Sequence, residues 1–232
     1  MRRKLRLSDL AFACYIFPGL EKRYRDAYSD FLKNTANALD MHNDKHIKHL
    51  LTWLNQWGCR LEQKSHPEIS GKLISWFREY EKLLPQKDKK LLDLSDKEIT
   101  EQDEVYDKLV GISFTCSSPT GHRKIGHTCA SKILFALRSD VYPIWDVAMK
   151  KEYEKTGCTT YSEYMKRSSI ELRQLSDDCQ RNGIELHELP RLLGREGESL
   201  LKLLDEHHWV FITRELRPPS TRDFEEWYKW AK

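Results

Sequence analysis

Long apolar runs are missing from this 232-residue chain. No stretch approaches the ~18 apolar residues that a membrane-spanning helix needs. Glycine and proline are scarce, at 10 and 8 residues, below the roughly 12% that average usage would give them together. With 11% aromatics and seven Trp, that scarcity excludes extended disorder and low-complexity tracts. An excess of one charge sign is also lacking: 39 Lys and Arg face 36 Asp and Glu, for a net +3. No period of roughly 20–50 residues repeats, which removes solenoids and propellers. The six cysteines (Cys14, Cys59, Cys116, Cys129, Cys158, Cys179) never form a C-x-x-C pair. They read as reduced, buried thiols of a cytoplasmic protein, not as a zinc site or disulfide framework.

What is present is helical periodicity around an adequate core. At 39% apolar residues, a single chain of this size can hide roughly 70% of its unfolded surface. Arg2, Arg3, Lys4 and Arg6 precede an apolar patch, Ala11 to Phe17, in the manner of a leader. Asp9 interrupts it and no small-x-small cleavage site follows, so the segment is expected to be a first helix meeting the Pro18-Gly19 turn. Apolar residues recur at three- and four-residue steps over Glu21–Leu39, over Lys45–Trp57 and from Leu73 to Leu84. Ser95 with Glu98, and Thr160 with Glu163, form capping boxes that open helices running to about Val110 and to Arg181. Further helices fit Thr128–Leu137, Asp146–Lys155, Gly197–His208 and Ser220–Trp230. Only Trp209–Thr213 has strand character. The expected class is all-α, in one domain spanning 1–232.

Charge is unevenly placed. Residues 120–151 carry six Lys and Arg against Asp140 and Asp146, a local +4. That is the electrostatic footprint of a phosphate-bearing partner. Inside this segment Gly126 precedes a helix that begins with the polar or small residues His127, Thr128, Cys129 and Ala130. Free amides at the positive end of a helix dipole make a phosphate seat. Farther on, Pro143 leads to Asp146, placed to cap the next helix.

These residues resemble the helix-hairpin-helix DNA glycosylases, including the endonuclease III-like and adenine glycosylases. The matching stretches are Ile125-Gly126-His127-Thr128-Cys129-Ala130, then Tyr142-Pro143-Ile144-Trp145-Asp146, then Lys150, with Asp146 sixteen positions after Ala130. The likeness is confined to about residues 120–152. It implies two helical lobes with a cleft between them, the terminal helices completing one lobe. It also implies a monomer acting on duplex DNA that carries a damaged or modified base. Backbone contacts would come from Lys124, Gly126, His127, Thr128, Lys132 and Lys150. Asp146 would steady the sugar cation as the base leaves. A nucleophilic Lys stands two residues after the hairpin Gly in strand-nicking members, where this chain has Thr128. That implies hydrolysis without lyase chemistry. The four-Cys motif of some members is absent, so no iron–sulfur cluster and no other cofactor is expected, although a monovalent cation at the hairpin is compatible with the pattern. The departures, Lys124 for the first hairpin Gly and His122-Arg123 for Leu-Pro, leave room for a specialised target. A bulky modified base in phage DNA would make this a bacterial antiviral protein.

Plainer readings stand beside these. Asp146 can be a helix cap and nothing else, which would leave a non-catalytic DNA-binding protein. Trp53 and Trp57, one turn apart on an apolar face, fit core packing; Trp57 at its helix end, with Trp53 and Trp145, is the alternative lining of a base pocket. His42, His46 and His49 have a spacing that could hold a metal, but without Cys or placed carboxylates they read as a satisfied face.

Overall fold

Helices form where apolar spacing and capping residues call for them. The computed structural model describes residues 5–220 together with 222, 223, 226 and 229. In chain order the helices are α1 (Leu7–Leu20), α2 (Lys22–Asn34), α3 (Asp44–Gln56), α4 (His66–Tyr80) and α5 (Asp96–Gly111). A two-stranded ribbon, β1 (Ser113–Thr115) and β2 (His122–Lys124), comes next. Then follow α6 (His127–Leu137), α7 (Val147–Glu154), α8 (Tyr161–Arg181), α9 (Leu189–Leu192) and α10 (Leu200–His208). Both capping boxes are formed, Ser95 with Glu98 and Thr160 with Glu163. The chain is predominantly helical, as its periodicity predicts, and no helix among the described residues is long and apolar enough to cross a membrane.

Several boundaries differ from expectation for local reasons. The helix expected to reach Leu39 stops at Asn34, because Ala36 and Asn37 adopt left-handed backbone (φ 49° and 58°). Pro18 does not end α1 but lies inside it. Lacking an N–H, it leaves the Cys14 carbonyl without its helical donor, and the Arg195 guanidinium donates to that oxygen instead. The strand-like run Trp209–Thr213 is a π-helical turn continuing α10. Three successive residues pack against α1: Trp209 meets Phe17 edge-on at 5.3 Å between ring centres, Val210 joins the cluster of Ala13 and Phe17, and Phe211 meets Phe12 at 6.2 Å. Alternation along a strand would turn Val210 away from that face. Most of the expected helix Ser220–Trp230 lies outside the described residues.

The ribbon is absent from the sequence reading, because its strands are three residues long and His122-Arg123-Lys124 is exposed throughout. It pairs antiparallel, with Ser113 opposite Lys124 and Thr115 opposite His122. Beyond it the chain stays zipped to the end of α5, Ile125 donating to the Ile112 carbonyl at 2.9 Å and Gly126 to Val110 at 3.2 Å. Thus α5 and α6 are joined by a hairpin that is a β-ribbon, held to α4 where Lys72 Nζ donates to the Ser113 carbonyl (2.6 Å) and Glu68 accepts from the Thr115 amide (2.9 Å).

One continuous apolar cluster runs through all ten described helices, α1 to α10. Burying each large apolar side chain in it contributes about 1.5–3 kcal/mol. Helix α5 packs on α8, α2 on α3, and α1 on α10. The core is therefore shared by the whole set of helices, and a cavity opens at its surface.

Candidate functional site

The cavity, about 540 Å³, opens where the ends of α1 and α3 face α6, α7 and α10. Gly126, His127, Thr128, Lys132 and Asp146 all line it, together with Trp57, Tyr24, Phe17 and Trp209. Segments more than a hundred residues apart thus meet at one opening.

The wall at α6 is built from backbone. Gly126 caps α6 at φ 75° and ψ 167°, a region essentially closed to residues with a Cβ. Having no side chain, it leaves the first-turn amides of α6 without a capping acceptor and directed along the positive end of the helix dipole. Exposed His127 is held by Tyr106, whose hydroxyl lies 3.2 Å from its Nδ1. Partial burial, then the charge of Lys150, pull its imidazole below the ordinary value. At neutral pH it is thus an uncharged hydrogen-bonding group.

Asp146 stands at the opposite end of a loop that is fastened at almost every residue. Tyr142 donates to Gln102 (2.7 Å), and the Trp145 amide donates to Ser131 Oγ (3.0 Å). From α8, Tyr161 donates to the Pro143 carbonyl (2.8 Å) and Tyr164 to the Ile144 carbonyl (2.9 Å). Those carbonyls are buried and would otherwise cost about 1–3 kcal/mol each unpaired. Stacking of Trp145 on Tyr164, at 5.4 Å between ring centres, adds rigidity. One carboxylate oxygen of Asp146 accepts the Met149 amide at 2.9 Å, so the residue does cap α7. The half-buried side chain nevertheless borders the cavity.

Other expected contacts move. Lys132 was placed among the phosphate-binding residues, yet it is only 8% exposed and its Nζ donates to the Trp57 carbonyl at 2.6 Å. It belongs to the cavity floor, where the helical register of α6 turns it inward. Trp53 and Trp145 are corrected likewise: both are 1% exposed and lie in the core behind the cavity, Trp53 stacked on Phe31 at 4.9 Å. Of the three expected base-pocket tryptophans, Trp57 alone lines it, fixed by its indole N–H to the Tyr24 carbonyl (2.8 Å). Lys124 is exposed on the ribbon, and Lys150 lies with its Nζ 5.3 Å from the Trp145 ring. The histidine face is engaged locally, His46 Nδ1 accepting the Asp40 amide (3.1 Å) and His42 meeting Phe77 edge-on. No group of three or more metal-ligating side chains is assembled among the described residues. At the hairpin the carbonyls of Val110, Ile112 and Gly126 each accept a backbone amide.

Sequence spacing gave no hint of Asp205. It reaches the cavity from α10 with its side chain 15% exposed and 3.5 Å from Lys202. Burial pushes its carboxyl above the usual aspartate range. Lys202 opposes this, and the negative charge of Asp146 pushes the same way as burial. Lys202 is itself buried. Burial opposes its charge, but Glu206, Asp205 and Glu198 more than offset that and hold it charged. Arg123, on the ribbon, also lines the cavity while donating to the Arg60 carbonyl at 2.9 Å. The six cysteines are buried, as expected, and Cys59 and Cys129 both border the cavity. No protein-family model matches this chain, and neither a curated protein nor a solved structure matches it.

Proposed function

We propose that this chain is a DNA N-glycosylase: it receives a nucleotide extruded from duplex DNA and hydrolyses its base–sugar bond without a metal-bound nucleophile or strand-nicking step. The observation that carries the reading is the meeting of Asp146 with the amide-rich start of α6 at one cavity. The ribbon cations Arg123 and Lys124, with the α6 amides, would hold the backbone next to the extruded nucleotide without reading sequence. The cavity accepts the nucleotide because the target bond cannot be reached inside the stack.

As the bond lengthens, positive charge grows on the sugar, and the Asp146 carboxylate stabilises it and orients water. Asp205, which also lines the cavity and whose carboxyl burial raises, is the group placed to supply the proton that lets the base depart uncharged. Tyr24, Trp57 and Trp209 give aromatic faces for the base. A volume of about 540 Å³ has room for an extruded nucleotide, and a base bearing a substituent, such as a modified cytosine of phage DNA, is the proposed target. Thr128 stands where nicking relatives of the resembled family carry an amine, and Lys132 is committed to the Trp57 carbonyl.

The second reading, a non-catalytic DNA-binding protein, is favoured by one observation, the Asp146 cap on Met149. Asn caps helices as well as Asp, so Asp146→Asn separates the two. Incubated with duplexes carrying modified cytosines or damaged bases, wild type yields alkali-labile abasic sites. The variant binds equally well but forms them at least about a hundredfold more slowly. Equal rates leave Asp146 a cap alone, and strand breaks without alkali would make Lys132 a nucleophile.

A further inference from the structure

Among the described residues, Ser131 is the α6 side chain that hydrogen-bonds to the loop carrying Asp146. It is 0% exposed and sits behind the cavity surface, one helical turn past Thr128. Its hydroxyl oxygen accepts the Trp145 amide at 3.0 Å and donates to the Thr128 carbonyl at 3.1 Å, with the Trp145 carbonyl at 3.4 Å as a second acceptor. Thr128 lines the cavity, and so does Asp146, the residue after Trp145. A single buried hydroxyl thus joins the backbone that bears the carboxylate to the helix that bears the amide seat.

The position calls for one small atom that can accept an N–H and donate to a carbonyl in a fully packed space. An aliphatic side chain does neither and strands the Trp145 amide. From the far side, Tyr161 and Tyr164 hold the two preceding carbonyls to α8. Lys132, next in sequence, ties α6 to the Trp57 carbonyl at 2.6 Å. Adjacent residues of one helical turn therefore bond α6 to the Asp146 loop and to the end of α3.

We propose that Ser131 is a positioning residue: through the Trp145 amide it holds the Asp146 carboxylate at the separation from the α6 amides that lets one nucleotide meet both. The role rests on the glycosylase reading above. The bond from the Met149 amide to Asp146 places the carboxylate on α7, but it does not fix that helix start against α6. The Ser131 bond does. Without it, a carboxylate displaced by about 1 Å still caps α7 and leaves the cations of the ribbon in place. It no longer meets the developing sugar cation squarely, which costs about a hundredfold in rate. The loss falls on the chemical step and spares binding.

Wild type, Asp146→Asn, Ser131→Ala and Ser131→Thr are compared as full chains on whichever modified-cytosine or damaged duplex wild type cleaves fastest. Anisotropy of the labelled duplex gives affinity, and alkali-labile sites formed in a single turnover give the rate. S131A should bind within about twofold of wild type and release base roughly ten- to a hundredfold more slowly. S131T keeps the hydroxyl and should recover most of the rate. Deuterium uptake at the Trp145 amide should rise in S131A and not in S131T. If S131A does not fold, Ser131→Val set against S131T makes the same comparison, with the hydroxyl as the difference. A wild-type rate in S131A beside a slow D146N overturns the positioning role and leaves the glycosylase reading standing. Unchanged deuterium uptake, or an affinity loss as large as the rate loss, overturns that role as well. No base release by wild type overturns the glycosylase reading and this role with it.

Discussion

The two walls of the cavity are made in opposite ways. The α6 wall is a short continuous piece of chain, Arg123 to Lys132, whose chemistry comes from backbone amides set by Gly126. The facing wall collects Phe17 from α1, Tyr24 from α2, Trp57 from the end of α3, and Asp205 and Trp209 from α10 and its continuation, four separate places. A ligand seat made of backbone is written locally and can be read from spacing. A pocket for a side group is written only in the way distant helices pack.

Perturbing each wall in turn tests that contrast, and the largest effect should come from the assembled one. Asp205→Asn removes the proposed proton donor, and base release should fall about a hundred- to ten-thousandfold. The pH profile should change with it. A carboxyl whose folded value is raised is protonated below that value and lost as an acid as pH climbs through it. Wild-type rates should therefore decline on the alkaline side, and the variant's should not. An unchanged alkaline limb would remove Asp205 from the chemistry.

A smaller effect is expected at the local wall. Gly126→Ala meets no crowding, its nearest neighbour being the Lys124 carbonyl at 4.0 Å, but it forces a Cβ onto backbone that only glycine adopts freely. Thermal or urea unfolding should show a loss of about 1–3 kcal/mol, and DNA affinity should weaken with it. Full affinity and full stability together would show that the amide seat does not depend on this turn. The smallest change belongs to Lys124→Ala, where titration against salt should lower the slope of log affinity by about one without altering base preference. A change in which base is released would place Lys124 in the pocket.

The helices, their caps and the Gly126–Asp146 spacing were legible because each depends on residues within a turn or two of one another. Asp146 at the start of α7 and the Thr160–Glu163 box came out as expected for that reason. Lys132 was misplaced because charge was counted along the chain, while the register of α6 decides which cations face water. The tyrosines of α8 that fasten the Pro143 loop went unnoticed, since Tyr161 and Tyr164 look from the sequence like ordinary core residues. Trp53 and Trp57 share one helical face, but the helix ends between them, and only the residue at the end reaches the opening.

Arg195 reaches back 181 residues to the carbonyl that Pro18 leaves open, and α1 lies against α10. During synthesis the proline-bearing turn of α1 therefore lacks this partner until Arg195 has been made and has left the ribosome. Phe17 and Asp205 flank the same opening, so a nascent chain already carrying Asp146 still has no finished pocket. The cavity wall is complete only once α10 has docked against α1.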